Sequence, residues 1–197
     1  LWFPLLLQTA LILAIPAQTL YTQITGKTIF LQTLPVDPYD FLRGYSQTLS
    51  YDISRVENLG QLPGWKELSR QQTPDAKYLK AGTRFYVILA APTSIESQPA
   101  KAWKPVRVTS DLPAALPANQ VAIQGKFTGS GIVYGLETYY MPESQSQEVN
   151  TDLNRWERNR QQRSVVVEVK VDAQGRAVPI SLWVSDPASK ALRNYRF

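Results

Sequence analysis

No charged side chain occurs before Lys27. The opening stretch reads LWFPLLLQTALILAIPAQTLYTQITG. A helix of about 20 apolar residues crosses the hydrocarbon layer of a bilayer. Residues 1–24 are long enough, so the sequence predicts a single-pass transmembrane anchor there. Pro4 suits a helix start. Pro16 would kink a helix or end it, and membrane helices tolerate such a residue better than soluble ones. Gln8 and Thr9 are polar for a lipid-facing position, which makes them candidate contacts with a membrane-protein partner. The competing reading is a secretory signal peptide, with Ile15-Pro16-Ala17 resembling a cleavage site. An anchor followed by a large C-terminal domain is expected to hold that domain outside the cytoplasm, in the periplasm or thylakoid lumen.

Residues 25–197 then predict one β-rich domain, large enough for a sizeable core. Lys27–Gln32 is a short β-prone run. Leu34–Pro38 cannot continue a central strand, because proline lacks the ladder donor. Asp37-Pro38 and Asp40 start a turn that Arg43-Gly44 ends. From Tyr45 to Ile53 the chain alternates, with Tyr45, Gln47, Leu49, Tyr51 and Ile53 on one face. A polar connection follows, with a short helical turn expected around Trp65–Arg70. Thr83–Ala91 reads as a buried strand. Pro92–Pro117 reads as an irregular arm around a strand at Pro105–Thr109, and Gln120–Thr128 is the next strand. Thr128-Gly-Ser-Gly131 is a turn without the lysine of a phosphate loop, and it joins two strands rather than opening a helix. Ile132–Met141 reads as one strand. Glu148–Gln162 contains no Gly or Pro and predicts a helix whose Arg155 and Arg158 offer a basic surface to a partner. Val165–Val171 and Arg176–Val184 form a hairpin about the Asp172–Gly175 turn. Asp186-Pro187 predicts a short terminal helix through Leu192.

Two of these segments resemble the bacterial GDYXXLXY-motif family of membrane-anchored proteins. Asp37, Pro38, Asp40, Leu42, Arg43 and Gly44 match the turn before the signature. Gly44, Leu49 and Tyr51 match signature positions, while Tyr45 and Ser46 stand where the family has Asp and Tyr. Farther on, Tyr134, Gly135, Glu137, Tyr139, Tyr140, Pro142 and Glu143 match a second segment. The resemblance implies that these residues are structural family positions, and the corner formed by Asp37, Pro38, Asp40, Arg43 and Gly44 is expected to pack against Tyr134–Glu143. It implies no enzyme activity.

The chemistry available to the chain is narrow. It has no Cys and no His. That excludes Cys/His zinc sites, iron–sulfur clusters, His-ligated haem, thiol nucleophiles and His-based triads. No cofactor or metal site is expected. Asp37, Asp40, Glu137 and Glu143 are the candidate carboxylates. The two aspartates suit turn amides. Glu137, if buried, needs a partner, and Arg43 is the expected one. The net charge of +5 is spread along the domain without any nucleic-acid fingerprint.

The fold expected is mainly β, a small barrel or sandwich of about seven strands with one short helix before the final hairpin, and α+β as the variant. The function expected is a non-catalytic accessory or interaction subunit of a larger membrane assembly. A cyanobacterial style of composition would make that assembly photosynthetic. The alternative is an envelope ligand-binding protein or a membrane-tethered hydrolase.

Overall fold

The structure is a computed structural model that describes residues 2–34, 46–72, 79–93, 101–140, 164–186 and 191–196. It opens on helix α1, Trp2–Thr25, which runs through Pro16. Most described side chains along α1 are exposed, among them Trp2, Leu6, Leu7, Ile12, Leu20, Tyr21 and Ile24. Only Thr22, near its end, is buried. The Gly26 N–H closes the last turn on the Thr22 carbonyl at 2.9 Å. A Cβ on Gly26 would lie 2.4 Å from that carbonyl oxygen, so a residue with no side chain is needed for the step from helix to strand. By hydropathy, no helix among the described residues is long and apolar enough to cross a membrane.

The chain continues through β1 (Lys27–Leu34), β2 (Ser46–Thr48), β3 (Ser50–Tyr51) and a 3₁₀ turn at Asp52–Ser54. Two short helices follow, α2 (Val56–Leu59) and α3 (Trp65–Gln72). Then come β4 (Arg84–Ala90), β5 (Lys104–Thr109), β6 (Gln120–Phe127), β7 (Ile132–Val133) and β8 (Thr138–Tyr140). The last strands are β9 (Ser164–Val171), β10 (Ala177–Asp186) and β11 (Ala191–Arg196). One sheet has five strands in the order β11-β10-β9-β1-β3, and a second has four in the order β5-β4-β6-β7. A two-stranded ladder joins β2 to β8. All pairings are antiparallel.

The mainly β expectation holds, but the sheets do not close into a barrel. Among the described residues no ladder joins the two larger sheets, and each keeps its own edge strands. They share one core instead. Strand alternation sends Val165, Val167, Val169 and Val171 of β9, with Ile29 and Leu31 of β1, into the same cluster as Phe85, Val87 and Leu89 of β4. Full burial of such side chains stabilises by roughly 1.5–3 kcal/mol each. Helix α3 closes one side of this core. Its Trp65 meets Phe85 edge to face, with ring centroids 5.9 Å apart.

Two strand boundaries depart from the sequence reading. The terminal segment is not helical from Ala191 onward. It forms β11, with Tyr195 buried opposite Leu182 of β10. The ladder offered by the outer edge of β10 outweighs the weak local helix preference there. The expected strand at Ile132–Met141 is broken into β7 and β8, because Gly135 takes a positive φ of 78° and turns the chain. The helix expected at 148–162, with Arg155 and Arg158, lies outside the described residues. So does the turn carrying Asp37, Pro38, Asp40, Arg43 and Gly44, and so do Pro142 and Glu143.

The β9–β10 turn, Asp172–Gly175, ties the pieces together. Asp172 is buried. Its carboxylate accepts the backbone N–H groups of Gln174 at 2.9 Å and Arg176 at 3.0 Å. It also accepts the Arg176 Nε–H at 2.7 Å and the Thr22 hydroxyl at 2.9 Å. The Gly175 carbonyl accepts the Gln124 N–H of β6 at 2.8 Å. Lys27 reaches the carbonyls of Ala118 and Gln120 at the start of β6 and lies 5.2 Å from the centre of the Trp103 ring. The last turn of α1 is thus held to the β9–β10 turn, and that turn and Lys27 of β1 reach the second sheet.

Candidate functional site

At the far end of β6 the two family-like segments meet. The β2–β8 ladder pairs Gln47 with Tyr139 and Thr48 with Thr138. Leu49 breaks the strand between β2 and β3; its N–H donates to the Glu137 carbonyl at 2.8 Å, and its side chain is buried. Each segment then sends a tyrosine to the other. The Tyr51 hydroxyl donates to the Leu136 carbonyl at 2.7 Å, and the Tyr134 hydroxyl donates to the Ile53 carbonyl at 2.6 Å. Both rings are buried. The Tyr134 ring packs over Gly125, where a Cβ would sit 3.0 Å from it. Burial first, then the nearby Glu137 charge, holds the Tyr134 phenol well above its ordinary pKa, so it stays a hydrogen-bond donor at any ordinary pH.

Glu137 finds one partner close by, while Arg43, its expected partner, lies outside the described residues. One carboxylate oxygen accepts the Tyr134 N–H at 2.6 Å, across the turn that Gly135 makes possible. The residue is half-buried. Glu137 therefore closes the turn that carries Tyr134, and its second oxygen has no bond among the described residues.

Removing either hydroxyl leaves a buried carbonyl without its donor, at a cost of about 1–3 kcal/mol. Tyr134→Phe and Tyr51→Phe are each expected to lower the urea unfolding midpoint by that equivalent. The double variant should lose less than the sum if the pair acts as one clasp.

Beside this clasp lies a cleft of about 300 Å³. Ser50, Ser54 and Arg55 line one wall; Thr128, Ser130, Gly131, Ile132 and Val133 line the other; Glu137 completes it. The Ser54 hydroxyl is buried and has no hydrogen-bond partner among the described residues. Arg55 is exposed and has no ion pair among the described residues. The sequence reading missed Ser54, Arg55 and Ser130. Their one signal is position, since Ser54 stands three residues after Tyr51, the last signature position, and Ser130 lies in the glycine-rich turn. Of the predicted partner contacts, Gln8 and Thr9 are exposed on α1, remote in sequence from this site. No group of three acidic side chains that could hold a metal ion occurs among the described residues.

The fold and clasp define a two-sheet antiparallel β domain led in by an uncharged helix. The GDYXXLXY protein family matches this chain over residues 8–182. The chain belongs to that family. No curated protein and no solved structure matches it.

Proposed function

We propose that this chain is a membrane-tethered, non-catalytic accessory subunit whose β domain lies outside the cytoplasm, in a periplasm or thylakoid lumen. The observation that carries this reading is helix α1. It spans 24 residues without a charge, its described side chains are mostly exposed, and its last turn is held to the β domain through Thr22. By sequence the helix also contains Phe3, Leu5, Leu11, Leu13 and Ile15, whose side chains lie outside the described set. The helix is long enough for the hydrocarbon layer, and the exposed Leu6, Leu7 and Ile12 suit lipid or a neighbouring helix. Gln8, exposed on the same helix, suits a hydrogen bond to a partner helix.

The test uses the full chain in its native membrane. Leu6→Arg with Ile12→Arg places two charges in the helix, at roughly 2.5–3.5 kcal/mol each for a central position. The double variant is expected to leave the membrane fraction, while the natural chain stays there after carbonate extraction. Native mass measurement after mild solubilisation should then show the natural chain bound to other subunits. A lone monomer would sink the subunit reading.

The cleft supports a second reading, an envelope ligand-binding protein. Its single carboxylate is already engaged by the Tyr134 amide, which favours binding over acid–base chemistry at this position.

A further inference from the structure

We propose that the cleft between the signature segment and the β6–β7 turn binds a small soluble zwitterion, an α-amino acid by chemical class. The proposal rests on the ligand-binding reading above and names what is bound.

Three features carry it. The first is a pair of opposite charges left apart. Arg55 and Glu137 line the same small cleft, yet no ion pair joins them, and neither has another ionic partner among the described residues. A molecule with a carboxylate at one end and an ammonium at the other would meet both. Arg55 offers a planar fork matched to a carboxylate, and the unengaged oxygen of Glu137 offers an acceptor for an ammonium.

The second feature is the Ser54 hydroxyl. A buried hydroxyl without a partner costs about 1–3 kcal/mol, and such groups are rare unless they serve something. Ser54 lines this cleft beside Arg55, and a rotation of its side chain would bring the hydroxyl to the same carboxylate. A cleft of about 300 Å³ is at the small end of ligand sites. It fits a metabolite of amino-acid size better than a peptide or a lipid.

The third feature is direction. Strand β6 begins at Gln120, whose carbonyl Lys27 reaches at the base of α1, and ends at Phe127, next to the cleft turn. Its eight residues span about 25 Å at roughly 3.3 Å each. The cleft therefore lies at the end of the domain away from α1, which favours a ligand from solution over a lipid headgroup. Arg84 and Lys126 stand directly opposite each other, with Lys126 opposite Val133 of the cleft wall. Two like charges in one cross-strand pair repel, and they set a positive field beside the cleft that would draw the carboxylate end in.

The test is calorimetric titration of the full chain in detergent with each common L-amino acid, and with inorganic phosphate as the comparison probe. At least one amino acid is expected to bind saturably. Its des-amino acid and its des-carboxy amine should each bind at least ten-fold more weakly. Arg55→Gln and Glu137→Gln should each weaken the amino acid by a similar factor. Both variants suit the purpose: Arg55 is exposed, and the side-chain carbonyl introduced by Glu137→Gln can still accept the Tyr134 N–H. Ser54→Ala should weaken binding while leaving the unfolding temperature level or higher, since it removes an unpaired buried hydroxyl. Phosphate binding that responds to Arg55→Gln but not to Glu137→Gln, with no amino acid bound, would overturn the zwitterion and leave the ligand-binding reading standing. No binding by any amino acid or by phosphate would sink both. Amino-acid binding unchanged in Arg55→Gln and Glu137→Gln would place the site elsewhere.

Discussion

Gly64→Ala is expected to destabilise the domain by roughly 3–5 kcal/mol, since the Cβ it adds makes the closest backbone overlap of any described glycine. Gly64 has φ of +90°, a conformation that costs an L side chain about 1–2 kcal/mol. The added Cβ would lie 1.9 Å from the Val108 carbonyl oxygen and 3.0 Å from its carbon. That neighbour is backbone and cannot rotate away. Val108 is also held from its other side, because its N–H donates to the Pro63 carbonyl at 2.9 Å. Nor can α3 retreat. The Gly64 carbonyl accepts the Leu68 N–H at 3.0 Å in the first turn of α3, and Trp65 and Leu68 are buried in the core. Relief of the overlap must therefore open the contact between α3 and β5, with core packing lost on top of the backbone strain. Gly82→Ala is the control. Gly82 has φ of +94°, but nothing lies within 4 Å of its would-be Cβ. It should lose only the strain of about 1 kcal/mol. Thermal unfolding of both variants checks the contrast, with a fall of ~10 °C expected for Gly64→Ala at roughly 2–4 °C per kcal/mol. Equal small falls would mean that α3 yields easily.

The contrast between these two glycines also shows where the sequence is legible. A glycine in a turn is visible at both sites, but the carbonyl facing one of them is brought there by a strand more than forty residues away. Val165–Val171 was readable from its own alternation, with Glu168 and Lys170 on the other face, and Thr83–Ala91 from its continuous apolar run, which is buried on both faces. The short helix at Trp65–Arg70 was also readable. Ala191–Arg196 was not, because its local residues permit a helix and only the open edge of β10 makes it a strand. The clasp between Tyr51 and Tyr134 was half legible. Leu49, Tyr51, Tyr134 and Glu137 were readable as family positions and do meet, but the contact expected was with the corner at residues 37–44, which lies outside the described residues. The Tyr134 amide as a partner of Glu137 was not legible, because it depends on Gly135 bending the chain; the expected partner, Arg43, lies outside the described residues. Ser54 and Arg55 carry no periodic or motif signal at all. Their role as cleft wall arises only when β7 and the Thr128–Gly131 turn are folded against them.

The second large effect is expected at Asp172. Asp172→Ala removes the shared acceptor of two backbone N–H groups, the Thr22 hydroxyl and the Arg176 guanidinium. Stranding buried donors costs about 1–3 kcal/mol for each group that water cannot reach. Arg176 is about a third exposed, with a side-chain value of 35%, so its share is discounted for solvent screening. A loss of about 2–4 kcal/mol remains, seen as a lower urea midpoint. Thr22→Val removes one bond and keeps the shape, and about 1 kcal/mol is expected. Charge is part of the effect. Burial alone would raise the Asp172 pKa, but hydrogen bonds from Arg176, Thr22 and Gln174 outweigh it and hold the carboxyl below its ordinary value. The unfolded chain titrates near ~3.9. The folded pKa is the lower of the two, so the unfolded state binds the proton first as pH falls. The stabilisation is therefore complete above about pH 5 and fades as pH drops below ~4 toward the folded pKa. Asp172→Asn, which cannot titrate, should show a flatter acid limb than the natural chain. The gap in unfolding midpoint between them should be widest at neutral pH and narrow near pH ~3. A gap that stays constant across that range would assign the effect to shape and hydrogen bonding alone. A gap that closes would show that the carboxylate's charge holds the end of α1 against the β9–β10 turn.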